Sequence, residues 1–308
     1  MLMVCGEALM DMFSVGDTRT GVMMDANVGG SPFNLAVGLA RLGQPSAFFS
    51  AISTGFLGER LMQTLIAEGV DTRAVARTDA PTTLSVVGLD AQGVPSYAFY
   101  GDRCADRQVT MAELALVPAS VSVVNVGSYA TVVEPVASTQ RALVERQQGI
   151  SLIAYDPNIR LNVEPDLARW RDQLQWMLPR TQLLKVSDED LGLLMPGTTI
   201  DAFAAEALAH GVKAVIVTRG AQGASGWNAT SHVTVPPVPV QVIDTVGAGD
   251  TFQAALLTWL AEHGALSADA LGALPAADFE AALSFAASAA AITCSRRGAD
   301  MPRRSELA

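Results

Sequence analysis

Short β-type runs alternate with helical hydrophobic patterns through most of the chain, and that alternation narrows the fold more than any other feature. Parallel strands joined by crossover helices satisfy it. The expected strands are residues 1–5, 46–51, 121–126, 152–155, 182–186 and 215–218. Several are apolar throughout, as strands covered on both faces must be. The pattern predicts an α/β, doubly wound fold with a central, mostly parallel sheet flanked by helices. Two stretches break the alternation: residues 11–28, and a hairpin-like pair, 84–89 and 96–100, around Asp90-Ala91-Gln92-Gly93. Strands without a crossover helix do not join a parallel core easily, so these predict a small accessory sheet. A flap over a site, a surface ribbon and a dimer contact fit that spacing equally.

With 308 residues, half of them hydrophobic, the chain can bury a sizeable core. A net charge of −11, with no Lys/Arg run carrying interleaved aromatics, argues against a nucleic-acid partner. Cys5, Cys104 and Cys294 form no CxxC pair and only three histidines are present, so neither structural zinc nor a disulfide framework is expected. The N-terminus lacks a signal-peptide pattern, and the longest apolar run, 281–294, is too short to span a bilayer. A soluble cytoplasmic protein without a membrane partner is the expectation.

Four clusters carry chemistry. Asp244-Thr245-Val246-Gly247-Ala248-Gly249-Asp250 precedes an apolar helical pattern closed by Gly264. Glycines before a helix let the backbone turn sharply and gather N–H donors where the helix dipole favours negative charge, which makes a phosphate seat. Asp250 in the first turn would be ionised and ready to orient a substrate hydroxyl and take its proton, although an Asp capping a glycine turn reads the same way. Gly29-Gly30-Ser31-Pro32-Phe33-Asn34 opens a second helix that ends at Leu42-Gly43, with Ser31 fitting the N-cap and Pro32 the first helical position. Asn34, Gly38 and Arg41 share its one narrow non-apolar face. Asn34 therefore needs a partner, either a substrate hydroxyl or nearby main chain. Gly6-Glu7-Ala8-Leu9-Met10-Asp11 sets two carboxylates at the end of the first strand, where ligands bind in α/β sheets; Asp11 could accept from two sugar hydroxyls or simply be solvated. Thr218-Arg219-Gly220-Ala221-Gln222-Gly223 suits either a nucleotide contact or a tight turn.

In order and spacing these clusters resemble the ribokinase/PfkB family of sugar kinases over essentially the whole chain, in its fructokinase-like branch. The resemblance implies a ribokinase-like fold in one domain, 1–308, with a β lid from segments at about 11–28 and 84–106. It implies Asp250 as catalytic base, an anion hole from the Gly247, Ala248 and Gly249 amides, and a sugar site at Asp11, Gly29, Gly30 and Asn34. ATP would be contacted by Thr218, Gly220, Gly223, Ala287 and Ser288. Asp156-Pro157-Asn158-Ile159-Arg160 resembles a segment whose Arg faces phosphates and sugar, and Lys185 resembles a charged partner of ATP phosphate. Mg2+ should accompany the ATP, and a monovalent cation such as K+ is implied near the anion hole, with Asp244 as its ligand. A homodimer through the lid is implied as well.

Two runs depart from the family pattern. Where relatives carry Asn-x-x-Glu near the metal, this chain reads Ser187-Asp188-Glu189-Asp190, leaving Ser187 and Asp190 to hold metal-bound water, the carboxylate on a shorter arm. In the lid, Gly101 stands where fructokinases usually carry Arg after the aromatic pair, with Arg103 two residues on. The substrate expectation is fructose, with Tyr100 and Arg103 as lid contacts. The alternatives are 2-keto-3-deoxygluconate, whose acid would use Arg103, Tyr97 and Tyr100, then ribose or a nucleoside, and a non-catalytic nucleotide- or sugar-binding regulator. No P-loop and no dinucleotide Gly-x-Gly-x-x-Gly after the first strand is present.

Overall fold

The computed structural model describes residues 1–89 and 95–307. In chain order, β1 (Leu2–Cys5), β2 (Leu9–Asp17) and β3 (Val22–Gly29) lead to α1 (Ser31–Arg41), β4 (Ser46–Ser53), α2 (Phe56–Ala67), β5 (Val75–Thr78), β6 (Thr83–Leu89) and β7 (Pro95–Tyr100). Then follow β8 (Val123–Gly127), α3 (Val136–Gln147), β9 (Leu152–Asp156), α4 (Leu167–Met177), β10 (Leu183–Ser187), α5 (Asp188–Leu194), α6 (Ile200–Ala209) and β11 (Ala214–Thr218). The chain closes with β12 (Ala224–Asn228), β13 (His232–Val235), α7 (Ala248–Glu262), α8 (Ala268–Gly272) and α9 (Ala276–Cys294).

Nine strands form the main sheet in the order β13-β12-β11-β10-β9-β8-β1-β4-β5. From β11 to β5 every pairing is parallel, and an antiparallel pair, β12 and β13, extends one edge. Every strand expected from the alternation lies in this sheet. The strand parity explains why they read as continuous apolar runs. In β1, Leu2 and Val4 face α1, α2, α7 and α9, while Met3 and Cys5 face the core built with Leu143 of α3, Trp170 of α4 and Phe203 of α6. Helices cover both faces, so the sheet is doubly wound. β5, β12 and β13 are the strands the alternation does not announce. β5 is only four residues long, and β12-β13 is a hairpin without a crossover helix.

The accessory sheet is real and four-stranded, in the order β3-β2-β6-β7. β2 leaves the body buried at Leu9 and Met10 and becomes progressively exposed beyond Asp11. Its antiparallel return, β3, delivers the chain straight into α1. The turn at residues 90–93 and the Tyr97 side chain lie outside the described residues.

Candidate active site

Because the strands are parallel, their carboxyl ends meet at one edge, and the side chains that follow them converge there. Glu7 follows β1, Tyr129 follows β8, and Asn158 and Arg160 follow β9. With the N-termini of α1 and α7 and one face of the accessory sheet they enclose a cavity of about 380 Å³, the scale of a small-molecule site. Asp11, Gly30, Asn34, Gly247, Gly249, Asp250 and Arg160 all line it.

At its centre, Asp250 sits in the first turn of α7 and opens on the cavity. Ser31 Oγ donates to its Oδ1 at 2.6 Å and Asn34 Nδ2 to its Oδ2 at 2.9 Å. Ser31 is thus not the N-cap of α1: Gly30 holds that place at φ 102°, and the serine hydroxyl is spent on Asp250 instead. The narrow face of α1 is where α7 docks. A Cβ on Gly38 would stand 2.9 Å from the Ala254 Cβ and 2.5 Å from Met301 Sδ. The missing side chain lets the helices approach closely enough for Asn34 to reach Asp250 one turn away. Arg41 closes the same face by donating to the Met301 carbonyl at 2.8 Å and pairing with Glu68 at 2.7 Å. Burial pushes the Asp250 carboxyl above its ordinary range, against the pull of Ser31, Asn34 and the charges of Lys185 and Arg160.

Gly247 caps α7 in a left-handed conformation, φ 78°, that a side chain would strain, and a Cβ there would meet Ala299 at 2.6 Å. The amides of Gly247 and Gly249 have no intramolecular acceptor among the described residues, whereas that of Ala248 donates to the Thr245 carbonyl at 3.2 Å. Of the three amides expected in the anion hole, that of Ala248 is thus the one already engaged within the turn. Lys185 Nζ lies 3.3 Å from where a Gly249 Cβ would stand and pairs with Asp156 Oδ2 at 2.6 Å. Asp190 Oδ1 accepts from the Ile159 amide at 3.2 Å, while Ser187 is occupied capping α5 through the Asp190 amide at 3.0 Å. Burial, helped by Asp156, pushes Asp190 up to about 6.

The lid wall follows strand parity. Asp11 pairs with Ser85 and Ser85 with Phe99 across β2, β6 and β7, so the three share a row and a face, and all line the cavity. Gly29 makes room for this row, since a Cβ there would stand 2.2 Å from Asp11 Oδ2; it does not line the cavity itself. Burial lifts the Asp11 carboxyl, with Ser85 and Arg160 opposing and Asp250 adding. One position on from Phe99, Tyr100 faces away and is 62% exposed, and the Arg103 side chain is 90% exposed. Neither lines the cavity. The arginine that supports the wall is Arg107, whose guanidinium lies 5.5 Å from the Phe99 ring and 5.4 Å from the Tyr129 ring.

Several cavity residues carried no assignment from sequence: Glu7, Ser85, Phe99, Tyr129, Asn158 and Asn162. Parity would have found Ser85 and Phe99, once the register with Asp11 was known. Thr218, Gly220 and Gly223 lie at the carboxyl end of β11 and the turn beyond it, at the same sheet edge but outside this cavity. Gly223 has its own structural reason, since a Cβ there would meet the Val235 carbonyl at 2.1 Å. Ala287 and Ser288 lie on α9, where the Ser288 hydroxyl donates to the Ser284 carbonyl at 2.9 Å. Asp244 accepts from the Val246 amide at 3.0 Å and the Gly298 amide at 2.8 Å, which ties the glycine turn to the segment after α9. Among the described residues no cluster of three or more His, Cys, Asp or Glu side chains is poised to chelate a metal, and no helix is long and apolar enough to cross a membrane.

Comparison with known proteins meets this geometry. The chain is 39% identical over 260 residues to a fructokinase of Rhizobium leguminosarum bv. trifolii, covering 84% of this chain and 79% of that one. It is 33% identical over 275 residues to fructokinase-2 of Solanum habrochaites, covering 88% and 82%. Among solved structures, a fructokinase from Xylella fastidiosa with bound ATP superposes with a TM-score of 0.86 at 26% identity, over 99% of this chain and 96% of that one. A fructokinase from Vibrio cholerae O395 in its fructose, ADP and calcium form superposes with a TM-score of 0.80 at 25% identity, over 97% and 94%. The sequence profile described as pfkB family carbohydrate kinase matches residues 1–305, and with these likenesses and the ribokinase-like fold the chain belongs to that family of sugar phosphotransferases.

Proposed function

We propose that this carbohydrate kinase is a fructokinase, transferring the γ-phosphoryl group of ATP to a primary hydroxyl of fructose with Asp250 as proton acceptor. The observation that carries the reading is the Asp250 carboxylate, which opens on the cavity from the first turn of α7 while Ser31 and Asn34 hold its two oxygens. The sugar oxygen forms the new bond to the γ-phosphorus, the bond from that phosphorus to the bridging oxygen of ADP breaks, and the hydroxyl proton passes to Asp250. In a loose transition state the proton moves late, so a carboxylate that orients the nucleophile suffices. The unengaged Gly247 and Gly249 amides, the α7 N-terminus, Arg160 and Lys185 supply positive potential for the migrating phosphoryl group. Asp11, Gly30 and Asn34 bind the sugar. Thr218, Gly220, Gly223, Ala287 and Ser288 contact the nucleotide.

Fructose rather than a sugar acid suits the lining. Glu7, Asp11 and Asp250 bring three carboxyl groups to the cavity and Arg160 one cation, a poor receptor for a substrate carboxylate. The fructokinase relatives support the same choice. For Mg2+, Asp156 Oδ1 has no partner among the described residues and Asp190 Oδ1 accepts one amide, an oxygen donor pair that suits a hydrated divalent ion. These two residues would hold it through its waters, and the ion would neutralise phosphate charge. Asp244 would hold K+ with the lone pairs its two backbone donors leave free. A homodimer through the lid is consistent with Val15, Val22 and Met23 of β2 and β3, which are 42%, 57% and 53% exposed. A sugar panel with coupled ADP detection tests the substrate. Fructose should give the highest kcat/KM, and ADP release no greater with any neutral ketohexose than with water overturns the proposal.

A further inference from the structure

Glu7 is 2% exposed and yet lines the cavity. Its Oε2 meets no partner at normal hydrogen-bond geometry among the described residues, although the Ser128 hydroxyl, at the end of β8, where the backbone takes φ 53°, is near enough to hold its titration down. A buried acid kept for structure alone would be satisfied by the chain, because an unpaired buried polar oxygen is costly. Oε2 itself is sealed in, and it is through the remainder of its carboxyl group that Glu7 borders the open volume. The two residues after β1 leave little choice about this placement. A Cβ on Gly6 would meet the Pro32 ring at 2.4 Å and a Cβ on Gly30 the Glu7 carbonyl at 2.8 Å, so α1 packs directly against the Glu7 backbone.

The charges around Glu7 come from every neighbouring element. Asp106, 1% exposed, accepts hydrogen bonds from Thr83 and from the Tyr129 hydroxyl, the latter at 2.8 Å. Asp11 of β2 and Asp250 of α7 share the cavity, and Arg160 is the one cation lining it among the described residues. Arg107 is held behind the Phe99 and Tyr129 rings. Arg107 and Lys185 act on Asp106 and Asp250 from outside the cavity, so Arg160 alone meets the carboxyls from within it among the described residues. Burial pushes Glu7 up to about 8, with Asp106 adding and Ser128 and Arg160 opposing. At neutral pH it is a carboxylic acid, able both to donate and to accept, which is the complement of an alcohol.

We propose that Glu7 is a specificity-determining residue of the sugar site, hydrogen-bonding a sugar hydroxyl through its carboxyl group at the cavity wall. The inference rests on the cavity being the sugar site. Its consequence is that sugar affinity depends on the Glu7 proton. Below about pH 8 the acid donates; above it the group is an ion in a site already rich in carboxylates. The sugar KM should therefore climb by roughly tenfold per pH unit above that point, while the ATP KM does not follow.

The test compares wild type, Glu7→Gln and Glu7→Leu from pH 6.5 to 9.5 with the best sugar of the panel, reading sugar and ATP KM separately. Gln keeps a neutral donor and acceptor, so its sugar KM should rise by no more than about 5-fold at pH 7 and lose the alkaline climb. Leu should raise it about 30-fold or more by leaving a sugar hydroxyl unpaired. The wild-type pH profile stands even if a variant fails to fold. A flat wild-type sugar KM across pH 8, a Leu variant with unchanged sugar KM, or a Gln variant as impaired as Leu overturns the inference while leaving the kinase assignment intact. A wild type that turns over no sugar overturns both.

Discussion

Replacing Asp250 by Asn removes the proton acceptor and almost nothing else. The two hydrogen bonds at 2.6 Å from Ser31 and 2.9 Å from Asn34 can be remade in one orientation. The new amide oxygen must face Asn34 Nδ2, which only donates, and the new amide nitrogen must face the Ser31 hydroxyl, which can rotate to accept. The α1–α7 junction then survives. Since burial already opposes the Asp250 charge, neutralising it should leave the melting temperature at pH 7–8 at or above the wild-type value. The loss falls on chemistry: a positioned acid–base group contributes about 10²–10⁴ in rate, which corresponds to about 3–5 kcal/mol of transition-state stabilisation. The assay is kcat by coupled ADP release beside ATP affinity by calorimetry. A drop of about 10²-fold or more in kcat with ATP affinity within about threefold is expected. A kcat within about tenfold of wild type would refute the assignment of Asp250 as base.

Gly38→Ala should act at a distance from the substrate. The added methyl meets Ala254 and Met301 at 2.9 and 2.5 Å and forces α1 away from α7. Overpacking of this kind costs about 1–3 kcal/mol, and an ångström of misplacement at the Asn34–Asp250 contact costs about 10²-fold in kcat/KM; a lowered melting temperature with undiminished kcat/KM would break the link between packing and catalysis. Asp190→Asn reports on the phosphate side. Its folded-state carboxyl titrates near 6 rather than near 3.8, so ionising it is a cost that sets in as pH rises from about 4 to about 6. Without nucleotide the variant should melt higher than wild type at pH 7–8 and equally at pH 4; a variant that melts lower at pH 7–8 contradicts the assigned environment.

Much of the fold was legible because buried parallel strands announce themselves as continuous apolar runs. The body strands and the accessory sheet followed from that signal and from the lack of a crossover helix between residues 84 and 100. β13 escaped because it alternates around a single covered face, with only Val233 and Val235 buried; β12 is buried throughout, but its run Ala-Ser-Gly-Trp-Asn is not the continuous apolar run that announces a buried strand. In the site, Asp250 and the glycine turn were legible because a helix N-terminus is encoded within a few residues. Tyr100 and Arg103, the expected lid contacts, lie outside the cavity, and their placement was illegible for the opposite reason. Which of Phe99 and Tyr100 faces the cavity depends on the register of β7 against β6, and that register is set by pairing with a distant segment.

By itself the sequence determined the alternating architecture, the glycine turn before α7, and Asp250 in its first helical turn, all properties of contiguous residues. Only the tertiary structure decided that Ser31 and Asn34, 219 and 216 residues away, would grip that carboxylate. It likewise decided that Arg107 rather than Arg103 would back the lid wall, and that burial would lift the Glu7 carboxyl far above its ordinary range. Each of these depends on which distant groups share a desolvated volume, and desolvation is a property of the packed molecule that no local stretch of residues carries.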